Sequence, residues 1–229
     1  MAFESLQRLK RLLRLPHPFQ HDALRWVVLD TETSGLDPRR DRLLSIAAVA
    51  LDLSVPQRPP TLRLADSFEA VLRQSDGGRS ENKGRGRGDI LIHGIGLGAQ
   101  AQGVDAQHAL LSFERYVGAS PLLAFHSNFD QALLDRHMAQ TLGRKLRNPW
   151  VDLEHVAAVL CKQPRRASLD EWIQRLGLRC EARHQAAADA LVTAQLLQKL
   201  WPLLQTQGKA SWDGMARLAG EAQFMAARI

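Results

Sequence analysis

Apolar residues in the first part of the chain fall in short unbroken runs, while further on they recur at helical spacing. The runs WVVLD (26–30), RLLSIAAVALDL (42–53) and TLRLADSFEAVLR (61–73) predict three strands. Their links are short and polar, and Gly35, Pro38 and Asp41 bring turn chemistry to GLDPRRD, so an antiparallel meander is expected. Ahead of them Phe3, Leu6, Leu9, Leu12 and Leu13 alternate with Arg8, Lys10, Arg11 and Arg14, which predicts a basic amphipathic helix over 3–15, stopped by Pro16 and Pro18. Docking on the domain is its plain reading; a membrane surface or an unidentified partner protein is the alternative.

Residues 74–89, QSDGGRSENKGRGRGD, lack any period and read as a mobile loop. Their Arg79, Lys83, Arg85 and Arg87 suit a phosphate backbone, or are simply solvated. Beyond the loop, patterns predict helices over 105–118, 128–142, 152–162, 168–176 and 185–205, with a strand at 121–125. Ser168 is placed to cap its helix. Strands first and a helix–strand–helix half afterwards predict an α/β domain layered around a mixed sheet. The expected organisation is an N-terminal helix and linker (1–24), one domain (25–206) and a weakly patterned, loose helical extension (207–229).

Composition narrows the partners more than the fold. The chain has 30 Lys and Arg against 24 Asp and Glu, a formal +6, which favours polyanions such as nucleic acid. Cys161 and Cys180 form neither a disulfide framework nor a CxxC pair, which fits a reducing cytoplasm. No run approaches the ~18 apolar residues of a membrane span, and the N-terminus lacks the apolar core of a secretory signal.

Against that basic background three acidic segments stand out. Asp30 and Glu32 end a buried strand, and residues two apart on a strand share a face. Asp130, in FHSNFD (125–130), follows the apolar LLAF where a helix begins. Asp189 lies in the first turns of the 185–205 helix, five residues after His184. Five helical positions turn by about 500°, so His184 and Asp189 can meet one site only if His184 precedes the helix. Singly, each segment has a plain explanation: a solvated rim for the DxE, a helix cap for Asp130, a structural role for His126. Together, four acids at one sheet edge carry a Coulomb cost that hard divalent cations, Mg²⁺ or Mn²⁺, would remove. Two such ions suit in-line displacement at phosphorus, with a neutral histidine taking the proton of the attacking water.

DTETSG (30–35), HSNFD (126–130) and HQAAAD (184–189) resemble the three motifs of the DEDDh 3′-to-5′ exonucleases, the DNA polymerase III epsilon-subunit-like group of the ribonuclease-H-like superfamily. IHGI (92–95), WVDL (150–153) and SLDEW (168–172) lie in order between them, so the likeness spans about residues 25–203. It implies a ribonuclease-H-like fold, a five-stranded mixed sheet flanked by helices. It also implies that Asp30, Glu32, Asp130 and Asp189 hold two divalent ions and that His184 is the general base. Thr33 and Leu36 would contact the terminal nucleotide, and Ile92 or His93 its base; core packing or turn geometry explains these four equally well. Ser45 stands where many relatives carry Glu, and the basic loop is longer than usual. The short tail offers little room for a polymerase-binding segment.

The functional expectation is a 3′-to-5′ exonuclease on single-stranded ends, DNA before RNA. An exoribonuclease trimming short RNAs or RNA tails is the nearest alternative, since no residue reads the 2′-hydroxyl. A non-catalytic nucleic-acid-binding module is the alternative of another class. A phosphatase using Asp30 as nucleophile would leave His184 and Asp189 without a role.

Overall fold

The computed structural model describes residues 24–55, 57–74, 95–163 and 167–226. The helix expected over 3–15, the basic loop beyond Gln74, and both Ile92 and His93 lie outside these residues. Within them the sheet has five strands: β1 (Arg25–Thr33), β2 (Leu43–Asp52), β3 (Thr61–Val71), β4 (Leu122–Ala124) and β5 (Trp150–Asp152), in the order β3-β2-β1-β4-β5. The first three form the expected antiparallel meander, and β4 and β5 continue the sheet parallel to β1. This is the mixed sheet of the ribonuclease-H-like fold, with β1 at its centre.

A central strand is covered on both faces, which is why WVVL reads as an unbroken apolar run. The helices are α1 (Leu97–Gln102), α2 (Ala106–Val117), α3 (Ser127–Leu142), α4 (Leu153–Leu160), α5 (Leu169–Leu176), α6 (Ala186–Thr206) and α7 (Trp212–Ala226). Val27 and Leu29 of β1 pack with Leu110 and Phe113 of α2 and with Leu133 and Met138 of α3. Trp26 and Val28 pack on the other face with residues of α4, α5, α6 and α7. By the same alternation Asp30 and Glu32 continue the α6 face, and Thr31 continues the α3 face.

Local chemistry sets the helix ends. The Ser168 hydroxyl accepts from the Glu171 amide, and the Glu171 carboxylate accepts from the Ser168 amide, a reciprocal capping box opening α5. Asp152 ends β5 and caps α4 by accepting from the Glu154 amide at 3.0 Å.

Two expectations needed correction. Trp150–Asp152, quoted only within the WVDL landmark with a helix expected from 152, is the edge strand β5. Three residues are too few to show a period, and only the slot beside β4 makes them a strand. The tail, expected as a loose helical extension over 207–229, is not loose: α7 buries Met215, Leu218 and Ala219 in the main core, Ala222 is buried too, and Trp212 meets the Trp26 ring edge-on at 5.4 Å. Half of that stripe is alanine, so its hydrophobic signal was faint. The hollow that receives it is built by Trp26 and Trp201, from β1 and α6.

Candidate active site

At the C-terminal end of β1 the pleat turns Asp30 and Glu32 toward α6, whose first turn carries Asp189. One carboxylate oxygen from each of these three residues lies within 4.8 Å of the others. Asp130, in the first turn of α3 and buried, stands beside Asp30 but outside that trio. Its Oδ1 accepts a 2.7 Å hydrogen bond from the Thr31 hydroxyl. Thr31 therefore reaches from one side of the sheet what its neighbours Asp30 and Glu32 face from the other.

This crowding is expressed in the acidities. Burial, then the charges of Asp130, Asp189 and Glu32, hold the Asp30 carboxyl well above the usual carboxylate range, against a lowering by Arg183. Burial, with Asp189 and Asp130, pushes Glu32 up to about 8. Asp130 rises to about 7, chiefly through burial, although the Thr31 hydrogen bond pulls it down. The cluster is short of positive charge. Its donor set is hard oxygen, the set that suits Mg²⁺ and Mn²⁺.

The third motif falls as its spacing requires. His184 precedes α6, with φ +62, and its amide donates to Asp189 Oδ2 at 3.2 Å. The His184 side chain is exposed. Its neighbour Arg183 pairs with Asp189 and, through Nε at 2.6 Å, with Asp170 at the start of α5. Arg183 carried no signal in the sequence beyond its charge. Thr31 was equally unreadable, because strand alternation directs it away from the two acids it separates. Asp152, seen only as a landmark, accepts from the His126 amide at 3.1 Å and so ties the second motif to β5. His126 itself is an exposed helix cap with φ +62 and takes no part in the carboxylate cluster.

Thr33 closes β1 just past a register shift, and its hydroxyl donates to the Gly35 carbonyl. A Cβ at Gly35 would stand 2.5 Å from the Asp41 carboxylate, which accepts from the Asp37 amide, so a larger residue here would have to displace that side chain. Leu36, at the tip, is 93% exposed beside the site. Ser45 is the β2 partner of Glu32 and is buried. Among the described residues no helix is long and apolar enough to cross a membrane.

Sheet order and flanking helices are those of the ribonuclease-H-like fold, and three carboxylate-bearing elements meet at the end of β1. In sequence the chain is similar to DNA polymerase III epsilon-like and PolC-type proteins. It is 31% identical over 200 residues to a DNA polymerase III subunit epsilon-like protein of Rhodobacter capsulatus, covering 85% of this chain and 26% of the relative. It is 26% identical over 201 residues to the PolC-type DNA polymerase III of Thermotoga maritima, covering 88% of this chain and 14% of that protein. The chain thus spans about a quarter or less of the length of these curated relatives. In fold it resembles Escherichia coli exonuclease I, solved with a dT13 oligonucleotide, at a TM-score of 0.65 and 15% identity over 80% of this chain and 42% of the other. No family model matches the chain.

Proposed function

We propose that the protein is a metal-dependent 3′-to-5′ exonuclease acting on single-stranded ends, DNA before RNA. The observation that carries this reading is the convergence of Asp30, Glu32 and Asp189 within 4.8 Å, with Asp130 beside them, in a chain of formal charge +6. The sequence similarity supports it, and the likeness to exonuclease I, bound to dT13 in its own structure, favours DNA.

The residues fit a pair of hard divalent cations, since their donors are carboxylate oxygens and burial, with mutual repulsion, makes Asp30, Glu32 and Asp130 hold their protons more tightly than usual. Asp30, Glu32, Asp130 and Asp189 would hold them. Such ions supply Lewis-acid stabilisation of charge at phosphorus and make a water nucleophilic near neutral pH. The chain supplies the rest. The pleat of β1 fixes Asp30 and Glu32 on one face, α6 brings Asp189 to them, and Thr31 orients Asp130. His184, on the turn before α6, takes the proton of the attacking water, as an imidazole can near neutral pH. The turn must carry its exposed ring inward to do so. Thr33 and the protruding Leu36 border the place of the terminal nucleotide.

The test uses 5′-labelled single-stranded DNA and RNA of one sequence, with Mg²⁺, Mn²⁺ or chelator, beside an Asp30→Ala control. A ladder of shortened labelled products is expected, faster on DNA, and absent with chelator and in the control. Shortening that survives chelation, or none with either metal, overturns the reading; faster loss of RNA moves the substrate to RNA ends.

A further inference from the structure

The carboxylate cluster has a cation of its own. Arg183 is half-buried, its side chain 21% exposed, while the next residue, His184, is exposed. Arg183 forms an ion pair through Nη1 with Asp189, one of the three clustered acids. Nε is held at 2.6 Å by Asp170, which is 60% exposed and belongs to α5, outside the cluster. One end of the guanidinium is thus tethered outside the site, and the other pairs with the cluster through Asp189.

We infer that Arg183 is a built-in counter-cation that competes with divalent ions for the carboxylate cluster and must withdraw its Nη1 end from Asp189 for them to bind. The inference rests on the reading of the cluster as the metal site. Three points converge on it. One carboxylate oxygen from each of three acids lies within 4.8 Å of the others, where their like charges repel. A guanidinium is the most weakly hydrated of the cationic side chains, so it enters a half-buried anionic site at low cost. Asp170 offers a second carboxylate that keeps the group paired when Asp189 is taken by an ion. Arg183 then acts as a positioning residue: it holds the turn bearing His184 in its metal-free arrangement, and metal binding releases that hold.

Mn²⁺ titration followed by electron paramagnetic resonance tests this, comparing wild type with Arg183→Met, a neutral side chain of similar length. Arg183→Met is expected to bind Mn²⁺ about tenfold more tightly, and its metal-free form to melt at a lower temperature, while its Mn²⁺-saturated form melts close to wild type. Arg183→Gln, which keeps a donor for Asp170 without the charge, is expected to shift Mn²⁺ affinity the same way and stands in should the methionine variant not fold. Equal or weaker Mn²⁺ binding in the neutral variants overturns the role of Arg183 while leaving the metal site standing. Absence of Mn²⁺ binding in wild type and variants alike overturns both.

Discussion

Strand β1 carries buried charge at both ends, and the two ends solve the same problem in opposite ways. At its start Arg25 grips Asp66 with two hydrogen bonds of 2.7 and 2.8 Å and donates a third, at 2.9 Å, to the Ser120 hydroxyl. Tyr116 lies under the guanidinium at 4.8 Å and donates its hydroxyl to the Asp66 carbonyl at 2.9 Å. Every charge there has a partner of fixed geometry. Five residues on, Asp30 and Glu32 face Asp189 and Asp130 with Arg183 as the cation that tempers them. A buried charge that is fully paired holds strands and helices in register. One left underpaired raises the energy of the folded state, and such a deficit persists where something else is to fill it.

The largest effect is expected at the underpaired end. Asp189→Ala should cut turnover about a thousandfold or more, several kcal/mol of barrier, while circular dichroism and melting behaviour stay near wild type. Near-normal turnover would remove Asp189 from the machinery. At the paired end the pattern reverses. Arg25→Ala leaves Asp66 buried without its partner and should cost about 3–5 kcal/mol of stability by denaturant unfolding, with activity per folded molecule unchanged. If Arg25→Ala were as stable as wild type, the contrast between the two ends would fail.

His184→Ala should lower kcat about a hundredfold or more with little change in KM. A rise in KM at constant kcat would make His184 a binding residue instead.

The smallest effect is a pH dependence of the metal-free protein. Asp130, ordinarily near 3.8, and Glu32, ordinarily near 4.5, hold their protons more tightly when folded, up to about 7 and about 8. The folded state therefore binds the additional protons, and these groups make stability fall as pH rises from their ordinary values to the raised ones. With chelator the melting temperature should decline by several degrees between pH 5 and 8. Saturating Mn²⁺ should flatten the decline, because a bound cation takes the place of the protons. A flat profile with chelator would show that the acids are better compensated than their crowding implies.

Much of this was legible in the sequence, for identifiable reasons. Strand runs, caps and helical stripes are local, so β1, β2, β3 and the helix beginning after His184 could be read from spacing alone. The same locality paired Asp30 with Glu32, and it required His184 to precede α6, where φ +62 now turns the chain. Family resemblance joined these to Asp130. β5 was invisible because three residues carry no period, and the docking of α7, expected only as a loose helix, because an alanine-rich stripe counts as apolar only against the hollow under Trp26 and Trp201.

What the sequence determined by itself is the inventory: which acids, on which kinds of element, in what order, under a net positive charge. Only tertiary structure decided how the inventory is wired. Thr31 reaches Asp130 across 99 positions of sequence, and Arg183 is the residue whose side chain pairs with Asp189. The physical reason is that strand and helix periods depend on neighbours along the chain, whereas charge compensation depends on distance in space. Folding alone sets that distance.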